Sequence, residues 1–127
     1  MNILFIEDNP EFSKIVRTLL EARGHTVKLC DNADDTVDEL KNLNNYKIVL
    51  LDIMMMLGTK IGSEEAKETG IAIYKRLRKI NSKIPIVVLT AQIKENIWSE
   101  FGADPKATYH FKPPQMDKLY EQVEQVI

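Results

Sequence analysis

Cysteine is nearly missing from this 127-residue chain, with Cys30 the single example. One thiol excludes an internal disulfide and suits a reducing cytoplasm. Cys30 lies in an apolar-alternating run, which predicts a small buried hydrophobe and not a reactive thiol. Charge of one sign is also missing. Seventeen Lys and Arg against nineteen Asp and Glu leave a formal −2, which argues against general attraction to nucleic acid or membrane surfaces. The apolar runs are far too short to span a bilayer. No charged-then-apolar leader precedes the first expected strand, so no signal peptide is expected. The five glycines form neither a Walker loop nor a GxGxxG turn, so nucleotide binding lacks a motif. The two histidines, His25 and His110, are too far apart to suggest a transition-metal site. Repeats, linkers and low-complexity tracts are absent too. The length fits one domain, residues 1–127, able to bury a core without staples.

What is present is a set of short apolar runs that end in chemistry. Ile48, Val49, Leu50 and Leu51 lead straight into Asp52. A wholly apolar, β-branched-rich run reads as a strand buried on both faces, as in a parallel sheet covered by helices. Its terminal carboxylate then sits where open α/β sheets place their ligands. Ile3 to Ile6 ends in Glu7 and Asp8, Ile86 to Leu89 ends in Thr90, and Tyr109 to Phe111 ends in Lys112. Four runs thus deliver three acids, a hydroxyl and an amine to one edge. A lone solvated Asp at a strand end is unremarkable; this convergence is not.

Between the runs, helical spacing recurs. Pro10 opens a first helix with Phe12, Ile15, Val16, Leu19 and Leu20 expected inward, and Gly24 stops it. Val27 and Leu29 predict a second strand at the sheet edge. Asp31 or Asn32 is placed to cap a second helix carrying Val37, Leu40 and Leu43 inward. A third helix follows Gly70 with Ile73, Leu77 and Ile80 inward; Lys75, Arg76, Arg78 and Lys79 read as a solvated basic face. A weaker helix is expected over residues 94–101, and a last amphipathic one carries Met116, Leu119, Tyr120, Val123 and Ile127. This β-α alternation predicts a parallel sheet wound by right-handed crossovers. Residues 58–69 are the irregular stretch, of mixed charge and without apolar period, expected to be mobile and to add little to the core.

Carboxylates converging on one spot repel unless a cation shares the site. Oxygen-only ligands of this kind suit Mg²⁺, which keeps several waters and accepts phosphate oxygens. Asp8 and Asp52 are the expected direct ligands, with a backbone carbonyl just beyond Asp52, at Met54, as a third and Glu7 acting through water. With that charge neutralised, Asp52 can attack a phosphorus atom. Lys112 and Thr90 are placed to hold the remaining phosphoryl oxygens.

These residues resemble, over essentially the whole chain, the receiver domain of two-component response regulators. The resemblance is carried by Phe5-Ile-Glu-Asp-Asn9, Val49-Leu-Leu-Asp-Ile-Met-Met55, Val88-Leu-Thr-Ala91 and Tyr109-His-Phe-Lys-Pro113. Each motif is weak alone; in this order and spacing they are strong together. The resemblance implies an α/β, flavodoxin-like, doubly wound five-stranded parallel sheet of order 2-1-3-4-5 flanked by five helices. It implies phosphorylation of Asp52 by a histidine kinase or phosphotransfer protein, with Mg²⁺ at Glu7, Asp8 and Asp52. Thr90 and Tyr109 match the family's switch pair, Ala91 the small residue beside the phosphoryl group, and Lys112-Pro113 a peptide bond typically cis. The domain is then a cytoplasmic signalling module, not an enzyme, apart from catalysing its own phosphorylation and dephosphorylation.

Two features depart from the family pattern. Met56 stands where receivers usually carry a proline, and residues 58–69 are an insertion between the third strand and third helix. Both alter the loop roofing the site. The receiver reading uses the chain up to its last helix and leaves no residues for a DNA-binding output. That fits a stand-alone regulator or a piece of a longer protein. The expected downstream partner is a protein that meets the face of fourth helix, fifth strand and fifth helix, with Trp98 on that helix; nucleic acid and membrane are not expected partners of this domain. The alternative is an aspartate-nucleophile phosphohydrolase of the haloacid dehalogenase kind. It needs an acid two residues past the nucleophile, where Met54 stands. A flavin-binding module lacks its phosphate loop here and leaves Asp52 unexplained.

Overall fold

The computed structural model describes residues 1–55, 58–61, 69–91 and 102–126. Five strands, β1 (Asn2–Ile6), β2 (Thr26–Cys30), β3 (Ile48–Asp52), β4 (Ile86–Thr90) and β5 (Ala107–Phe111), form one parallel sheet in the order β2-β1-β3-β4-β5. Four α-helices are found among the described residues: α1 (Pro10–Ala22), α2 (Ala33–Glu39), α3 (Thr69–Ile80) and α4 (Met116–Glu124). A 3-10 turn over Leu40–Asn45 continues α2. The expected helix over residues 94–101, Trp98 with it, lies outside the described residues, as do Met56 and residues 62–68.

Why the central strands contain almost no polar residue is explained by the two layers they separate. Leu4, Ile6, Val49, Leu51, Ile86 and Val88 face one core, with Leu40, Leu43, Ile73 and Leu77 from the α2–α3 side. Ile3, Phe5, Ile48, Leu50, Val87 and Leu89 face the other, with Val16 and Leu20 of α1 and Leu119 and Val123 of α4. Side chains alternate across a strand, so a sheet covered on both faces must be apolar at every position. Each such side chain contributes about 1.5–3 kcal/mol of burial. Helix starts are set by side chains: Asn9 Oδ1 accepts the Phe12 N–H at 3.0 Å with Pro10 in the first turn, and Asn32 Oδ1 accepts the Asp35 N–H at 2.8 Å. Gly24 follows α1 at φ +89°, a left-handed conformation suited to glycine.

Several expectations need correction. Ile15 is 60% exposed while Ser13 is buried. Ile15 lies about 100° round the helix from Val16, off the stripe that meets the sheet, and the Ser13 hydroxyl satisfies itself on the Pro10 carbonyl. Ile80 is 50% exposed, because α3 ends there, at the margin of the core. Arg78 does not belong to a solvated basic face. Its guanidinium is half-buried, paired with Asp104 at 2.7 Å and donating to the carbonyls of Asn81 and Ile84.

The root of the insertion is also not loose. Asp34 accepts from the Thr59 N–H, the Thr59 hydroxyl and the Lys60 N–H, while Ile61 is buried in the α2–α3 core. The mixed-charge pattern hid this because the clasp is supplied by a helix distant in sequence.

Candidate functional site

Parallel strands all point one way, so their C-terminal ends share an edge. β1 runs directly into Glu7 and Asp8, and β3 ends on Asp52. Ile6 pairs in register with Leu51, which puts these acids side by side. One carboxylate oxygen from each of Glu7, Asp8 and Asp52 lies within 4.8 Å of the others. Glu7 is fully buried and Asp52 nearly so, while Asp8 is half-buried. Glu7 is fixed through its backbone, whose N–H donates to the Cys30 carbonyl at 3.0 Å, and through Oε2, which accepts the Asn9 N–H at 3.1 Å. Asp52 Oδ1 accepts the Met54 N–H at 3.0 Å, which curls the chain back beyond the strand and brings the Met54 backbone beside the acids.

β5 delivers Lys112. Its backbone N–H donates to the Thr90 carbonyl at 2.8 Å, and its ammonium pairs with Glu7 Oε1 and stands 3.4 Å from Asp52 Oδ1. The same ammonium lies 4.8 Å from the centroid of the Phe12 ring. Lys112-Pro113 is cis, matching the family geometry. Thr90 is buried at the end of β4, opposite Phe111 in register. Tyr109 pairs with Val88 and is 39% exposed, its ring edge-on to Phe111 at 5.7 Å. Of the expected residues, Glu7, Asp8, Asp52, Met54 and Lys112 therefore meet in one pocket. Thr90 closes the neighbouring strand. Tyr109 stands on the outer strand with its ring turned to the surface. Sequence reasoning placed Phe12 in the core only; its position one turn after the acidic pair was the available signal.

The electrostatics fit a divalent cation. Burial pushes the Asp52 carboxyl up to about 7, with the Glu7 charge adding to the rise and Lys112 opposing it. Among the described residues, three carboxylates, two of them buried, stand close together with the Lys112 ammonium, and like charges held this near one another favour a cation between them. Oxygen-only donors with an opening at Asp8 suit Mg²⁺ with retained waters. The residues present thus fit the ion. Neither histidine joins them: His25 lies beside the chain start and Glu124, and His110 on β5 pairs with Gln122. Cys30 is buried, its thiol pushed up to about 11 mainly by that burial. Among the described residues no helix is long and apolar enough to cross a membrane.

Fold and pocket together define a flavodoxin-like, doubly wound sheet with an acidic pocket at its switch edge. The sequence matches the family described as response regulator receiver domain over residues 3–124. It is similar, at 33% identity over 105 residues, to the transcriptional regulatory protein CpxR homolog of Haemophilus influenzae, covering 80% of this chain and 40% of that protein. It is 29% identical over 126 residues to the transcriptional regulatory protein DltR of Streptococcus agalactiae, covering 97% and 50%. The chain thus spans half or less of the length of these curated relatives. Among solved structures, the receiver domain of the Francisella response regulator 1452 has a TM-score of 0.77 at 24% identity, covering 98% of this chain and 94% of that one, a likeness of fold. The chain belongs to the response regulator receiver domains, the phospho-accepting modules of two-component signalling. The phosphohydrolase alternative finds no support in these relatives, and Met54 supplies no second acid.

Proposed function

We propose that Asp52 is the phosphoryl acceptor of this receiver, working in a pocket in which Glu7, Asp8, Asp52 and the Met54 carbonyl hold Mg²⁺. The observation that carries the reading is the meeting of three carboxylates with the Lys112 ammonium at the sheet edge. An Asp52 carboxylate oxygen attacks the phosphorus of a donor phosphohistidine; the P–N bond breaks and imidazole leaves with the electron pair. Mg²⁺, when bound, offsets the charge of the three acids and of the incoming phosphoryl group. Lys112 and Thr90 hold phosphoryl oxygens by charge-assisted and hydroxyl hydrogen bonds. The Met54 N–H fixes the Asp52 carboxylate so that little reorganisation accompanies attack.

The donor is a histidine kinase or phosphotransfer protein, and the domain catalyses its own phosphorylation and dephosphorylation. Thr90 and Tyr109 form the switch, the hydroxyl moving to the phosphoryl group and the ring turning inward behind it. The downstream protein meets the face that includes β5 and α4. Residues 1–127 act as one cytoplasmic receiver.

Intact-mass analysis after acetyl phosphate and Mg²⁺ tests the core of this. One labile phosphoryl group on the parent, absent from Asp52→Asn, is expected. Undiminished labelling of that variant refutes the acceptor assignment.

A further inference from the structure

We infer that Phe12 is a positioning residue for Lys112, and through it for phosphoryl transfer to Asp52. The inference rests on the reading of Lys112 as a phosphoryl-oxygen donor given above. A lysine ammonium is a compact charge on a flexible four-carbon stem. Something besides its carboxylate partners must decide where it stands, because those same carboxylates are the proposed metal ligands. The Phe12 ring supplies such a contact, with the ammonium 4.8 Å from its centroid.

The ring is itself well held. It meets the fully buried Phe5 edge-on at 6.4 Å, with an interplanar angle of 71°. Its backbone N–H is capped by Asn9 Oδ1 at 3.0 Å, and the Asn9 N–H in turn donates to Glu7 Oε2 at 3.1 Å. Glu7 Oε1 pairs with Lys112, so the contacts close a circuit through Glu7, Asn9, Phe12 and Lys112. The geometry of the first turn of α1 is thereby tied to the placement of the ammonium.

An aromatic face suits this position for a chemical reason. It attracts a cation through the ring quadrupole, and more strongly when the cation is partly desolvated, as Lys112 is with only 18% of its side chain exposed. It also adds no further negative charge to a pocket that already holds three acids. Leucine fills the same apolar surface and offers no such attraction.

The test is to replace Phe12 with 4-fluoro-, 3,5-difluoro- and 3,4,5-trifluorophenylalanine, which hold the shape nearly constant while draining charge from the ring face. The readouts are acetyl-phosphate labelling rate at saturating Mg²⁺, Mg²⁺ affinity of the whole chain, and urea midpoint. The expected result is a stepwise fall in labelling rate, reaching about 3- to 10-fold with the trifluoro ring. Metal affinity and midpoint stay at the parental values, which a merely structural role of the ring does not predict. Phe12→Leu falls by a similar factor and Phe12→Trp retains the rate. In a Lys112→Ala background the fluorine series is flat, because the partner is gone. A flat series in the Lys112 protein, or a slope that persists without Lys112, overturns the role of Phe12. Parental labelling by Lys112→Ala alone overturns the reading of Lys112 on which this one rests.

Discussion

Gly70→Ala is the most informative single perturbation of the fold around the site. A Cβ at Gly70 would stand 2.3 Å from the Ile53 Cα, 2.5 Å from the Ile53 carbonyl oxygen and 2.6 Å from the Asp52 carbonyl oxygen. All three are backbone atoms, so no side chain can swing aside. The Gly70 N–H also donates to the Ile53 carbonyl at 2.9 Å, fastening α3 to the turn that follows Asp52. Overpacking of this kind costs about 1–3 kcal/mol, and disturbing the hydrogen bond costs about another 1 kcal/mol. Helix propensity works the other way, favouring alanine by about 1 kcal/mol at most. The clash wins, and a net loss of about 1–3 kcal/mol is expected. Urea unfolding followed by far-UV circular dichroism should show a lower midpoint at unchanged slope. Acetyl-phosphate labelling should slow as well, since the displaced backbone is that of the Asp52 turn. Gly24→Ala is the control: nothing lies within 4 Å of its Cβ, so only the φ of +89° is strained and labelling should be untouched. A Gly70→Ala protein as stable as the parent would refute the close-approach reasoning.

Other perturbations separate the remaining elements. Asp52 has a folded-state pKa near 7 against 3.8 when unfolded, so the folded chain holds the proton more tightly. Its contribution is therefore fully favourable below about 4 and is lost as pH rises through about 7, by linkage on the order of 2–4 kcal/mol. In metal-free buffer Asp52→Asn should be more stable than the parent at pH 8, with the gap narrowing as pH falls and closing only near pH 4; a pH-independent difference in thermal midpoint would count against the buried, charge-crowded carboxyl. Arg78→Ala strips a half-buried Asp104 of its ion partner and two carbonyls of their donor, and should cost about 2–3 kcal/mol in urea titration; a loss under about 0.5 kcal/mol would make the cluster a surface ornament. Asp34→Ala releases three donors at Thr59 and Lys60, so those amides should exchange faster with solvent while the sheet stays protected. Unchanged exchange there would show that the insertion root is held by Ile61 alone.

The strand pattern, the sheet class and the identity of the acid, hydroxyl and amine positions were legible in the sequence itself. The physical reason is local: a strand buried on both faces must be apolar throughout, so the polar residue that ends it stands out, as Asp52 does after Leu51. Pro10 at the start of the first helix, Asn32 as one of two candidate caps, Gly24 as a stop and Cys30 as a buried hydrophobe follow from equally local chemistry. Only the tertiary structure decided which helix faces met a core. Ile15 and Ile80 keep the helical period yet lie outside the contact, because burial depends on where the neighbouring layer ends and not on spacing. Only it fastened Thr59 and Lys60 to Asp34 and drew Arg78 off the basic face onto Asp104, since each partner lies more than twenty residues away. Distance across the sheet edge also set the Phe12 ring against Lys112. Residue types near one another in sequence reveal their roles through pattern; those joined by the winding of the chain acquire partners that no pattern records.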